Sequence, residues 1–345
     1  MRSFPKKTDK KRVLSLALSF LLLLFPLISF ADTQPVIYRA KISAYFPNSS
    51  TRVYEKPDLN SRVLGAYLPG DAIEIVEVLP NYVGIRYRGQ TGWVLRHRIM
   101  DPEAVNVRDT PRFGTAFNMY FTTLIEKTEI KEAPDARSET LITLYQGAQL
   151  GFLDVTDGWA RLIFKRQYGY VDTRTLGELR MVAPREEAGT ADIPIAVYNS
   201  FYNIAENENN IHRINNLKVG SDRASKTLLP GDILDFNAQV GPFTDANGYE
   251  PAGGLVDGEL VFDVYGGGSC QVSSTLYNAV LQLNGLTVLL RSPHGANGAQ
   301  YLPHGVDASS GALNFVFRND YPFPVSIKNH VQDGSLFIAV YRGSL

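Results

Sequence analysis

Tyr265-Gly266-Gly267-Gly268-Ser269-Cys270-Gln271-Val272-Ser273-Ser274-Thr275-Leu276-Tyr277-Asn278 is the stretch from which the rest of the chain can be read. Before it, Gly258-Glu259-Leu260-Val261-Phe262-Asp263-Val264 alternates as a strand does. After it, Val272, Leu276, Ala279, Val280 and Leu283 recur at helical spacing, and Asn284-Gly285 supplies a stop signal. The pattern predicts a glycine-rich strand-to-helix turn with Cys270 at or near the helix N-terminus. Free backbone N–H groups and the positive end of the helix dipole lower the pKa of a thiol placed there. Glycines let a substrate approach the main chain, and the N–H groups of Cys270 and Gln271 are candidates to hold an oxyanion. A phosphate-binding loop would need a Lys-Ser or Lys-Thr pair after the last glycine, and none is present.

Cys270 is the chain's 1 cysteine, so it forms no internal disulfide. A lone thiol is either a packed small hydrophobe or a nucleophile. A nucleophile needs a base. Of the 5 histidines, His97 and His212 lie outside this part of the chain, which leaves His294, His304 and His330. Asp307 could orient an imidazole, and as a turn residue it is equally expected. No metal and no cofactor are predicted, because no two histidines have the short helical spacing of a zinc site. Cys270, His294 and Asp307 could converge as a Cys-His-Asp ligand set, but a thiolate fixed on zinc could not serve as a nucleophile.

Outward from this stretch, the first half of the chain repeats itself at an offset of 77 residues without a gap. Lys56-Pro57-Asp58 lies over Ala133-Pro134-Asp135, and Gly70 over Gly147. Tyr82, Ile85 and Tyr87 lie over Trp159, Leu162 and Phe164, and Gly92-Trp93-Val94 over Gly169-Tyr170-Val171. Each copy alternates in short runs punctuated by Pro, Asn and Gly, which implies a small barrel of about five strands. The order of turns and aromatic strands resembles the bacterial Src-homology-3-type domain. That resemblance implies either wall-peptide binding, with Trp93 and Trp159 in a groove, or a plain spacer. Polar segments at Asp101–Tyr120 and Ala183–Ile193 read as linkers.

The first 31 residues carry Arg2, Lys6, Lys7, Lys10, Lys11 and Arg12, then an apolar run from Val13 to Phe30 and small residues at Ser29-Phe30-Ala31. This is the layout of a secretory signal, the competing reading being an uncleaved anchor. Its removal takes six basic residues and Asp9, moving the net charge from -1 to about -6. A basic face for nucleic acid is therefore not expected. An exported protein of the periplasm or cell wall is, with membrane contact only through the N-terminal segment if that is retained.

The C-terminal part resembles the VanW domain. The resemblance rests on Arg213-Ile214-Asn215-Asn216, Leu229-Pro230-Gly231-Asp232 through Phe236-Asn237, Val240-Gly241-Pro242, the Gly266–Asn278 stretch, and Pro293-His294 through Gly305-Val306-Asp307-Ala308. Cys270, His294 and Asp307 fall on the family's usual Cys, His and Asp. Gly268, Ser269, Gln271 and Ser273 are the implied oxyanion and substrate contacts. Some VanW-domain proteins resemble L,D-transpeptidases. The resemblance thus implies a cysteine acyltransferase acting on peptidoglycan stem peptides. The alternatives are a cysteine peptidase on wall peptides and a non-catalytic wall-binding or glycopeptide-resistance accessory protein. The expected layout is a signal at 1–31, SH3-like repeats at 38–103 and 115–180, a linker at 181–194 and a VanW-like domain at 195–345. The expected fold class is mainly β with an α+β C-terminal domain.

Overall fold

The computed structural model describes residues 34–46, 48–256, 259–295 and 298–343. The segment read as a signal at 1–31 lies outside the described residues. The chain is mostly β, and among the described residues the α-helices lie in the C-terminal part.

The repeat is visible strand by strand. Thr51–Tyr54, Val63–Tyr67, Tyr82–Tyr87 and Gln90–Leu95 stand 77 residues before Thr128–Lys131, Thr140–Leu144, Trp159–Phe164 and Gln167–Asp172. The 3-10 turns Arg96–Arg98 and Thr173–Thr175 obey the same offset. Each copy closes around its own apolar core. In the first, Ile42, Val53, Ile75, Val83, Ile85 and Val94 are fully buried; in the second, Ile130, Leu144, Leu150, Phe152, Leu162 and Val171 are. Trp93 and Trp159 are half-buried.

The segment between the barrels is less of a linker than its polarity suggests. Ile99–Ala104 is a strand that pairs with Tyr38–Ile42 and completes the first barrel. Beyond it, Phe113 packs edge-on against Tyr38 at 5.2 Å, and Arg112 donates to the Leu286 carbonyl in the C-terminal domain.

The C-terminal domain is built on a four-stranded antiparallel sheet in the order Pro194–Phe201, Ser335–Arg342, Val325–Gln332, Lys226–Leu228. Helix α1 (Glu208–Ala224) and helix α3 (Ser269–Leu281) cover one face, with the short α2 (Phe236–Val240) beside them. The other face is covered by the second barrel. Ala196 and Tyr198, with Leu336, Ile338 and Val340, point to the helices. Val197, Phe337 and Ala339 point the other way and pack with Phe121 and Val182, while Phe201 enters the second barrel's core. Polar bonds seam this interface: Gly151 N–H donates to Asn199 Oδ1 at 3.0 Å, and Ser335 Oγ donates to the Gln149 carbonyl at 2.9 Å. The sheet is thus a middle layer, and the second barrel is fused to the C-terminal domain.

A three-stranded sheet (Ile233–Asp235, Phe315–Asn319, Leu286–Arg291) and a hairpin (Pro251–Val256 with Glu259–Tyr265) complete the domain. The hairpin's second strand runs into the glycine turn and then into α3. That helix ends at Leu281, earlier than Asn284-Gly285 suggests. Gly285 instead makes room for a neighbour, since a Cβ there would lie 2.3 Å from the Tyr321 ring. Among the described residues, no helix is long and apolar enough to cross a membrane.

Candidate active site

The glycine turn ends at Gly268, with φ 110° in the left-handed region where side chains are strained, and Gly268 is the N-cap of α3. Gly267 has no room for a side chain, because its Cβ would stand 2.6 Å from the Ala252 carbonyl oxygen. Cys270 is therefore held in the first turn of α3, half-buried.

The rest of α3's polar residues face inward and hold other segments. Ser273 Oγ donates to the Ala308 carbonyl at 2.6 Å. Ser274 Oγ donates to the same oxygen at 3.0 Å and accepts from Ala308 N–H at 2.9 Å. Asn278 Nδ2 donates to the Val306 carbonyl at 2.6 Å. These bonds pin 306–308 to the helix and so fix Asp307 relative to Cys270. Buried polar groups without such partners would cost about 1–3 kcal/mol each.

Asp307 lies at the centre of the site, with its side chain 2% exposed. Its Oδ2 accepts from both the backbone N–H and the ring Nδ1 of His294, each at 2.7 Å. Its Oδ1 accepts from Arg291 Nη2 at 3.2 Å, and Arg291 Nε donates to the Asp307 carbonyl at 2.7 Å. Double anchoring fixes the imidazole, and its other nitrogen is left for the hydrogen bond to Cys270. Ser310 adds its N–H at 3.3 Å and its hydroxyl at 3.5 Å to the Cys270 sulfur.

The electrostatics follow from these partners. Burial pushes the Cys270 thiol up, but the hydrogen bond and charge of His294, with Ser310, outweigh it and the pKa falls below the ordinary thiol value. Burial pushes His294 down, but Asp307 and Cys270 raise it to about 9. Burial pushes Asp307 up, but the two His294 donors and the Arg291 charge hold it at about 2. The shifts therefore all favour the charged forms: a thiol lowered by His294 and Ser310, an imidazole raised by Asp307 and Cys270, and a carboxylate held ionised behind them.

Cys270, His294 and Asp307 are thus brought together. The other expected contacts are not substrate-facing. Gln271 is 1% exposed, and its side chain donates to Ser200 Oγ and the Phe201 carbonyl. Its backbone N–H, expected to hold an oxyanion, donates instead to the Gly268 carbonyl at 2.8 Å. Ser269 is 3% exposed, and Ser273 braces the loop. Gly268 serves the turn. The ring of His304 packs edge-on against His97 at 6.0 Å. His330 bonds the Gly147 carbonyl at 3.0 Å, and His212 bonds the Pro251 carbonyl at 2.8 Å. Arg291 and Ser310 join the site without having been expected from sequence. The signal available for Arg291 is a cation closing the apolar run Leu286–Leu290; Ser310 offers none. Among the described residues, no cluster of three His, Cys, Asp or Glu side chains is arranged to hold a metal.

Residues 212–341 match the family described as VanW like protein, and residues 49–100 match the bacterial SH3 domain. The chain thus carries a VanW-like domain behind a bacterial SH3 domain. The uncharacterized protein YoaR of Bacillus subtilis (strain 168) is 38% identical over 142 residues, which are 40% of this chain and 46% of that protein. The chain thus spans less than half the length of that relative. Two solved structures, NlpC2 and NlpC1 from Trichomonas vaginalis, are similar at 12% and 13% identity, covering 86% and 87% of this chain and 98% and 94% of theirs, each with a TM-score of 0.17. A TM-score that low carries no argument about fold or chemistry.

Proposed function

We propose that this chain is an exported peptidoglycan-modifying enzyme, a cysteine L,D-transpeptidase acting on stem peptides. The observation that carries the reading is the Cys270–His294–Asp307 arrangement, with His294 anchored twice on one carboxylate oxygen at 2.7 Å. The Cys270 thiolate attacks the carbonyl carbon of the residue in position three of a tetrapeptide stem. The imidazolium of His294 gives its proton to the departing terminal D-alanine nitrogen as the C–N bond breaks, leaving a thioester. The side-chain amine of a second stem's diamino acid then attacks the thioester. His294 takes the amine's proton, the C–S bond breaks, and an amide cross-link forms as the thiolate returns.

In this reading the attacking form is the thiolate and His294, raised to about 9, holds the proton, so His294 acts first as an acid and only then as a base. A thioester survives in water long enough to await an amine, which suits transfer. Purified protein incubated with tetrapeptide muropeptides, with the products resolved by mass spectrometry, tests the reading. Cross-linked dimers with release of D-alanine are expected. Trimmed monomers alone would favour a peptidase, and unchanged substrate at stoichiometric enzyme would remove catalysis altogether.

A further inference from the structure

The segment 298–308 that delivers Asp307 is gripped from two sides. α3 holds it from one side through Ser273, Ser274 and Asn278. The other side is formed by the barrels. In the second barrel, Arg166 sits in the hairpin turn between Phe164 and Gln167 and donates Nη2 to the Ala299 carbonyl at 3.3 Å. In the first barrel, His97 sits in the 3-10 turn Arg96–Arg98, with its ring edge-to-face on His304 at 6.0 Å. His304 in turn lies over Gly298, where a Cβ would stand 3.2 Å from the imidazole and 3.6 Å from Asp307 Oδ1. Buried Arg96 reaches the same segment: a Cβ on Gly114 would touch both Arg96 Nη2 and Val306 Cγ1. The two copies thus meet the segment with different parts of one repeated unit.

We infer that both barrels are positioning elements of the reaction centre: through Arg166 and His97 they press 298–308 onto α3 and so set where Asp307 holds His294. This rests on Cys270, His294 and Asp307 being that centre, and it gives the barrels a role beyond spacing or wall binding. Two electrostatic facts agree with it. Arg166 feels the Asp307 charge. His97 is driven down to about 4, first by burial and then by Arg98, His304 and Arg166, so it packs as a neutral ring at physiological pH. Among the described residues, His294 and Tyr301 interact with the sulfur, Arg291 acts on Asp307, Arg213 on Tyr301, and Arg166 feels Asp307 from one layer out.

The test reads the thiol rather than the wall reaction, so it is independent of the transpeptidase reading. In the full chain, Cys270 alkylation by iodoacetamide is followed against pH for wild type, Arg166→Ala, Arg166→Lys, His97→Ala and His97→Phe. Slackening of 298–308 loosens Asp307 from His294, weakens the imidazolium and raises the thiol midpoint. We expect the Arg166→Ala and His97→Ala midpoints to move up by about half a unit to a unit, which is about a three- to tenfold slower alkylation at any pH below both midpoints. Arg166→Lys and His97→Phe, which keep the charge or the ring, should restore most of the rate. Wild-type profiles in both alanine variants, or equal losses in the alanine and conservative variants, would overturn the inference. Muropeptide turnover that fails in wild type with the thiol pattern intact would overturn the proposed reaction and leave this inference standing.

Discussion

Replacing Asp307 with asparagine keeps the shape of the site and removes its one carboxylate on His294. Asp307 titrates at about 2 in the folded chain against 3.8 when free, and its side chain is 2% exposed. At 1.36 kcal/mol per pKa unit, the depressed carboxylate contributes about 2 kcal/mol to stability. A lowered carboxylate stabilises above its unfolded pKa, so this contribution is complete above about pH 4 and is lost as pH falls from about 4 to 2. The variant has no such titration. Wild type should therefore be about 2–3 kcal/mol the more stable at pH 7, and the gap should close between about pH 4 and pH 2. Guanidinium unfolding of both proteins across that range measures it. The asparagine amide also presents an N–H to Nδ1, favouring the wrong tautomer, so turnover should fall by about 100-fold or more. A stability gap under about half a kcal/mol at pH 7, or one unchanged by acid, would refute the assignment of Asp307 as the buried counter-charge.

Four further outcomes follow from the same geometry. Cys270 should alkylate with a midpoint below the free thiol value of about 8.5, and a thiol inert until unfolding would mean that it is only a packed side chain. His294→Ala should lower turnover at least about a hundredfold more than His304→Ala, and the reverse ranking would move the base to His304. A chain beginning at Ala183 should fold poorly: it exposes Val197, Phe201 and Phe337, each at most 2% exposed in the whole protein. At about 1.5–3 kcal/mol per side chain, that loss matches a domain's entire net stability. Cooperative melting of the truncated chain at the parent temperature would contradict it. Turnover should survive a strong chelator and vanish with a thiol alkylator; loss restored by zinc would put a metal where the mechanism has a thiolate.

The repeat is legible in the sequence because its offset is gapless, so each Pro-Asp turn, glycine and aromatic strand can be laid on its copy. The strand-to-helix turn is legible because three consecutive glycines before a helical pattern have few other uses. Only the family resemblance separates His294 from His304 and His330, and Asp307 from an ordinary turn residue, since a histidine in a turn has no periodicity to mark it. Gln271 and Ser273 mislead because polar residues near a nucleophile suggest substrate, whereas their helix is buried on nearly every side and they brace the main chain of 201 and 308. The fusion of barrel and domain does leave a signal. Ile195-Ala196-Val197-Tyr198 and Leu336-Phe337-Ile338-Ala339-Val340 are unbroken apolar runs. A strand with one wet face alternates instead, and runs of this kind mark burial on both faces. The segment at 101–104 looks like linker on its polarity, although edge strands tolerate charge.

The middle-layer sheet also orders events in time. Synthesis delivers the barrels first, then Pro194–Phe201, and only much later its pairing partner Ser335–Arg342. During that interval the first strand has apolar side chains on both flanks and no neighbour in its sheet. The finished second barrel can shelter one flank at once, acting as an internal chaperone for the strand that emerges next. Asp307, His294 and Cys270 all lie between these two strands in the chain, so the environment that lowers the Cys270 thiol is assembled inside a frame closed by the last strand to arrive.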